Sequence, residues 1–344
     1  MSAGEDRTSI QRGTQRGRIS GPAIAVIVAV ILAVSAAGAY VAFFRTNLEI
    51  VRIDGSSTVF PITSAWSEEF SIPNQRQIIV AFSGTGGGFQ KFCRGETDLS
   101  DASRPIRQSE IADCTARGIT GIVEFKVAYD GLSVVVHKNN NWVDHLTVNQ
   151  LCRIWTSNTS AGACDGAGPR VTQWNELDAS WPIQPLSLWG PGTDSGTFDY
   201  FVEVILGNVE SEHYDGYNAS EDDNVLVGGV ANNLYSLGYF GYAYVVPNLN
   251  RLTPLAIDDE NPDNGDGPIA PSEQTIKDGT YAPLSRPLFV YGATGTPGKS
   301  LTRQVVKDFV RFGYTDRGMQ LVGETGYVGL TPAEIAAEVA KIPN

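Results

Sequence analysis

Residues 82–106 read FSGTGGGFQKFCRGETDLSDASRPI. Phe82 ends the apolar run QIIVAF (77–82), which has the length and residue types of a strand. Ser83-Gly84-Thr85-Gly86-Gly87-Gly88 is then a polar turn, FQKFCRG (89–95) a helix, and Leu99-Ser100-Asp101-Ala102-Ser103 the next strand end. The same pattern extends outward on both sides. Upstream, EIVRI (49–53) runs into Asp54-Gly55-Ser56-Ser57-Thr58. A helix follows from Pro61, with Ile62, Ala65, Trp66, Glu69 and Phe70 at helical spacing. Downstream, Gln108–Arg117 is helical. Strand, polar turn and helix occur three times over, which predicts an α/β domain whose turns face a ligand at the carboxyl ends of strands.

Further along, IVEFKVAYDGLSVVV (122–136) predicts two strands separated by Tyr129-Asp130-Gly131, and 146–156 an amphipathic helix. Pro185–Trp189 predicts a strand leading into GPGTDSGT (190–197) and a helix from Phe198 to Leu206. Residues 225–237 are expected to be helical, 238–246 and 287–291 strands, 257–273 an acidic surface loop, and 301–312 and 332–342 helices. No repeat of fixed period is present.

Three turns share one composition: GSST (55–58), SGTGGG (83–88) and DSGT (194–197). Each ends a strand and opens a helix. Helix amino termini present unpaired N–H groups and the positive end of the peptide dipole. Glycine allows close backbone approach, and hydroxyls donate further hydrogen bonds. Such turns bind oxyanions without formal positive charge. Simple capping by Ser, Thr and Asp explains any one of them; three in one chain favour a shared anion. Arg104, directly after a strand end, adds a fork suited to a tetrahedral anion. Gly84–Gly88 lacks a directly trailing G-K-[ST], so the turn is not a nucleotide P-loop. No serine sits in G-x-S-x-G, so hydrolase chemistry is disfavoured.

The length of 344 residues suits two domains. The net charge of −13 argues against a nucleic-acid binder. Residues 1–46 carry Arg7, Arg12, Arg16, Arg18 and Arg45 against Glu5 and Asp6, a charge of +3, which leaves −16 for residues 47–344. The basic leader 1–20 precedes GPAIAVIVAVILAVSAAGAYVAFF (21–44), long enough to span a bilayer. The positive-inside rule then puts residues 47–344 outside the cytoplasm. An uncleaved signal anchor is the favoured reading; cleavage near Ala37-Gly38-Ala39 and a buried core helix are the alternatives. The outside location permits disulfides. Sequence-local pairing joins Cys93 to Cys114 and Cys152 to Cys164, one of three connectivities. Three His and no C-x-x-C give no expectation of a metal or cofactor.

Taken together, DGSSTVFPIT (54–63), residues 82–106, YDGLSVVV (129–136), GPGTDSGTFDYF (190–201), GYFGYAY (238–244) and ETGYVGL (324–330) resemble the phosphate-binding proteins of phosphate ABC transporters. The resemblance runs from about Ile50 to Leu330. It implies a two-lobed type II periplasmic-binding-protein fold, with residues 48–127 and 286–344 in one lobe, 128–285 in the other, and hinge crossings near Tyr129 and Pro287. It implies phosphate contacts from Ser57 or Thr58 and the N–H of Val59; from Ser83, Gly84 and Thr85; from Ser103 and Arg104; and from Ser195, Gly196 and Thr197, with Asp194 beside them. Many relatives carry an Arg four residues before the Ser of S-G-T, where this chain has Pro191, and an Asp near Ser103. Arg104 is therefore expected to supply the cation, and Asp101 or Asp194 the acceptor for the phosphate proton. The implied protein is a monomeric, non-enzymatic, membrane-anchored receptor that delivers inorganic phosphate to an ABC permease and its ATPase. A receptor for sulfate, molybdate or tungstate, a sensing or adhesive surface protein, and a phosphatase are the alternatives.

Overall fold

The computed structural model describes residues 30, 32–35, 49–74, 76–157, 164, 168–193, 195–207, 213–262 and 267–344. The chain divides into Met1–Leu48 and Glu49–Asn344. In the first unit the described residues Val30 and Leu32–Ser35 are helical and exposed. The remainder of the predicted span 21–44 lies outside the described residues. No described helix is long and apolar enough to cross a membrane.

Within Glu49–Asn344 the strands are β1 (Ile50–Gly55), β2 (Gln77–Val80), β3 (Leu99–Ala102), β4 (Ile122–His137), β5 (His145–Thr147), β6 (Ser187–Gly190), β7 (Asn218–Ala219), β8 (Ser236–Gly241), β9 (Leu252–Pro254), β10 (Ala256–Asp258) and β11 (Ser285–Ala293). Nine of them form one sheet in the order β2-β1-β3-β11-β4-β8-β6-β7, with β9 also on β4; β10 and β5 pair separately. The repeated strand–turn–helix reading holds: β1 is parallel to both β2 and β3, and the helices Phe60–Asn74, Gly84–Cys93 and Gln108–Ala116 follow them in turn. Ile62, Trp66 and Phe70 bury one face of the first helix, where Trp66 and Phe70 meet Phe309 of the helix Gln304–Gly313 edge to face.

Several sequence expectations change. Residues 122–136 are not two strands but one, the 16-residue β4. At about 3.3 Å per residue it extends roughly 50 Å, so a single strand serves both halves of the sheet. Its first half pairs with β11 and its second with β8 and β9, all antiparallel. Gly131 is there for close packing rather than for a turn: a Cβ would fall 2.4 Å from Ile276 Cδ1. The helix expected over 225–237 is Asp223–Ala231, and β8 already begins at Ser236; the strand expected over 238–246 stops at Gly241, and the one-turn helix Tyr242–Val245 follows.

In the half of the sheet containing β6 and β8, the core is aromatic. Trp155 lies edge-on to Tyr239 and to Phe201, and Phe201 stacks on Tyr239 with centroids 4.0 Å apart. His213 is buried among these rings, its Nδ1 2.9 Å from the Tyr214 carbonyl and its Nε2 3.1 Å from the Tyr239 hydroxyl. Burial lowers its pKa to about 4 against the opposing pull of that carbonyl. Both disulfides join sequence neighbours, Cys93–Cys114 and Cys152–Cys164. The first ties the helix Gly84–Cys93 to Gln108–Ala116.

Candidate functional site

The first turn leaves β1 and is anchored over the end of β3, where Ser56 N–H donates to the Asp101 carbonyl at 2.9 Å. Asp101 is fully buried, and its Oδ2 accepts from the Thr63 hydroxyl at 2.6 Å. Burial raises its pKa to about 7; the Thr63 hydrogen bond opposes this and nearby Asp54 adds to it. The Asp101 side chain thus holds the first helix to β3 and lines neither of the cavities described below. Val59 is fully buried as well, beside the start of that helix.

In the second turn, Ser83 is exposed and lines neither cavity. Its hydroxyl donates to Asp54 Oδ1 at 2.5 Å, and Lys91 Nζ holds the other oxygen of Asp54 at 2.5 Å. Thr85 faces Ser103 instead, with hydroxyls 3.2 Å apart, and also accepts from the Ser103 N–H at 3.2 Å. Arg104 is forked onto Glu110, with Nη1 3.0 Å from Oε2 and Nη2 2.8 Å from Oε1, and its guanidinium lies over the Phe89 ring.

The third turn comes from the other half of the sheet. Ser195 caps the helix Gly196–Ile205, its hydroxyl accepting from Thr197 N–H at 3.2 Å. Asp194 lies outside the described residues. Thr58 donates to the Gly196 carbonyl at 3.3 Å, and Ser57 donates to Asp199 Oδ2 at 2.6 Å. The approach is close because position 196 lacks a side chain: a Cβ there would lie 2.5 Å from Thr58 Cα. Two cavities adjoin this contact, and Ser57 lines both.

The first cavity has a volume of about 360 Å3. Ser56, Ser57, Thr58, Gly84, Thr85, Ser103, Arg104 and Arg107 line one side, with Asp199, Val202, Glu203 and Arg286 completing it. The second has a volume of about 610 Å3 and includes Ser195, Gly196 and Thr197 with Asp130, Glu221, Asp223, Tyr244 and Tyr327. Burial, with Asp222 and Glu221 nearby, raises the Asp223 pKa to about 7. The structure thus brings Ser57, Thr58, Gly84, Thr85, Ser103 and Arg104 together in the first cavity and leaves Ser195, Gly196 and Thr197 in the second. Among the described residues no group of three or more His, Cys, Asp or Glu is arranged to hold a metal ion.

Among the lining residues that the sequence did not announce are Arg107, Asp130, Asp199, Glu203 and Arg286. Arg286 is the most connected. It stands opposite Asp130 in the register of β11 on β4. Its Nε lies 3.3 Å from Asp130 Oδ2, Nη1 3.0 Å from Glu203 Oε2 and Nη2 3.1 Å from Thr58 Oγ1. Its guanidinium stacks 3.6 Å from the Tyr200 ring centroid. Burial pushes the Asp130 pKa up while Arg286 pulls it down, leaving it raised. Two signals were available. Asp199 and Glu203 are four apart on one helix and so share a face. Arg286 precedes the Pro at the expected hinge crossing.

Comparison with known proteins agrees with this fold. A family described as "PBP superfamily domain" matches residues 36–317. The chain is 42% identical over 282 residues to the protein SphX of Synechocystis sp., covering 81% of this chain and 78% of the relative. It is 33% identical over 298 residues to the phosphate-binding protein PstS of Staphylococcus saprophyticus, covering 86% and 84%. Among solved structures, a possible phosphate binding protein from Planctomyces limnophilus superposes with a TM-score of 0.76 at 38% identity, covering 86% of this chain and 98% of that one. The chain belongs to the PBP superfamily and, within it, to the family of PstS phosphate-binding proteins.

Proposed function

We propose that this protein captures inorganic phosphate outside the cytoplasm and delivers it to an ABC permease and its ATPase. The observation that carries the reading is the first cavity. There the hydroxyls of Ser57, Thr58, Thr85 and Ser103 and the guanidinium groups of Arg104 and Arg286 line one cavity, faced by the helix Gly196–Ile205 from the other half of the sheet. Donors of this kind suit a tetrahedral dianion. Ser195, Gly196 and Thr197 line the adjoining cavity and are brought to the anion from the second lobe when the lobes close, while Ser83 ties the second turn to Asp54. Asp199 and Glu203 are the carboxylates that line the cavity; Glu203 is engaged by Arg286, so Asp199 is the acceptor best placed to take the proton of bound phosphate, and sulfate has no proton to give. Asp194 remains a further candidate, and buried Asp101 serves the first turn.

In this reading residues 48–127 and 286–344 form one lobe and 128–285 the other, hinged where β4 and β11 run side by side. Binding closes the lobes and performs no covalent chemistry. Residues 21–44 anchor a monomeric receptor to the membrane with the basic leader inside. Competition binding with phosphate, sulfate, molybdate and tungstate tests the ligand: phosphate is expected to bind in preference to the other three, and equal displacement by sulfate would overturn it. A phosphate-ester assay is expected to show no turnover.

A further inference from the structure

The three nitrogens of the Arg286 guanidinium serve three separate parts of the chain. Nε holds Asp130 on β4, Nη2 takes Thr58 of the first turn, and Nη1 takes Glu203 of the helix Gly196–Ile205. The three partners differ in burial. The Asp130 side chain is 3% exposed and that of Arg286 12%, whereas the Glu203 side chain is 47% exposed. The Asp130 contact is thus a fixed buried pair, while Glu203 reaches the arginine from a half-solvated position. Thr58, Glu203 and Arg286 line the first cavity, and Asp130 lines the second. The nitrogens on the proposed phosphate side are therefore those held by a hydroxyl and an exchangeable carboxylate.

We propose that Glu203 is a built-in competitor for the ligand, seated on Nη1 of Arg286 until phosphate takes that place. The inference rests on the phosphate-binding reading above and deepens it. A carboxylate on a guanidinium forms charge-assisted hydrogen bonds, but at a half-exposed position water screens the pair. Phosphate offers more acceptor oxygens and a second charge, so it displaces Glu203 where a weaker monoanion does not. The exchange sets a threshold: only an anion that outbids a carboxylate for Arg286 occupies the cavity. It also links occupancy to closure. Glu203 and the stacked Tyr200 belong to the second-lobe helix, Thr58 to the first-lobe turn, and Arg286 to the strand beside the hinge.

The test is phosphate titration calorimetry on the full chain, comparing wild type with Glu203→Gln and Arg286→Lys. Glu203→Gln keeps size and polarity at an exposed position, so folding is not at risk. Removing a competitor raises apparent affinity by the inverse of the fraction of time the seat is free. Phosphate affinity is therefore expected to rise about three- to tenfold. Arg286→Lys keeps the charge but loses the fork, and its affinity is expected to fall at least tenfold. Unchanged or weaker binding by Glu203→Gln would overturn the competitor role, because a merely structural pair or a phosphate contact gives those results. A wild-type chain that binds no phosphate would remove the parent reading, and this inference with it.

Discussion

Ser57 donates its hydroxyl to Asp199 at 2.6 Å, joining the turn after β1 to a helix 142 positions further along the chain. Together with Thr58 on the Gly196 carbonyl, this contact closes one half of the sheet onto the other. Truncating Asp199 to Ala removes the acceptor and a cavity wall. One hydrogen bond to a charged group contributes about 1.5–3 kcal/mol. Phosphate affinity should therefore fall by about tenfold or more in Asp199→Ala; unaltered calorimetric affinity would detach this contact from function.

Gly196 admits that closure because it has no Cβ. Alanine at 196 would meet the backbone N of Thr58 at 2.6 Å and its Cα at 2.5 Å, neither of which can yield cheaply. Position 196 is the first residue of its helix, where alanine is well tolerated. Gly196→Ala should keep its melting temperature but lose about tenfold or more in phosphate affinity, roughly 1.4 kcal/mol. A variant with wild-type affinity would show that the two turns need not approach this closely.

Arg104 is committed to Glu110, yet it lines the same cavity as Thr85 and Ser103. Replacing it with Ala should weaken phosphate binding by about tenfold, the order expected for a charge-assisted contact. Binding that matches wild type would assign Arg104 to the support of the helix Gln108–Ala116 alone.

His213 predicts a pH dependence of stability. Its native pKa is lowered by burial to about 4, against an ordinary value of 6.5. The unfolded chain therefore binds the proton more readily between those values, and stability falls as pH drops from about 6.5 toward 4. Above 6.5 the contribution is fully present. The loss amounts to at most about 3 kcal/mol. Urea melts across that range should show the decline in wild type and a flatter profile in His213→Gln; identical slopes would remove His213 as the cause.

The parts of the fold that follow local pattern were legible in the sequence. Residues 50–116 carry alternating apolar runs and polar turns, and they fold into β1, β2, β3 and their helices as expected. Neighbouring cysteines pair because the helices bearing Cys93 and Cys114 are adjacent. The misreadings share one cause, long-range packing. Tyr129-Asp130-Gly131 has turn composition, yet β11 pairs it into a strand, Arg286 neutralises Asp130, and Ile276 fills the space a Gly131 side chain would take. The same holds for the site. Turns rich in Ser, Thr and Gly announce themselves, and five of their residues, Ser56, Ser57, Thr58, Gly84 and Thr85, line one cavity. Arg286 did not, because its meaning comes from the strand opposite and from a helix more than 80 positions away.

The central claim is that the cleft takes inorganic phosphate. Isothermal titration of the full chain with phosphate near neutral pH tests it most directly. The account predicts saturable 1:1 binding that persists in excess sulfate. No binding heat across a wide concentration range, or a signal abolished by equimolar sulfate, would contradict it.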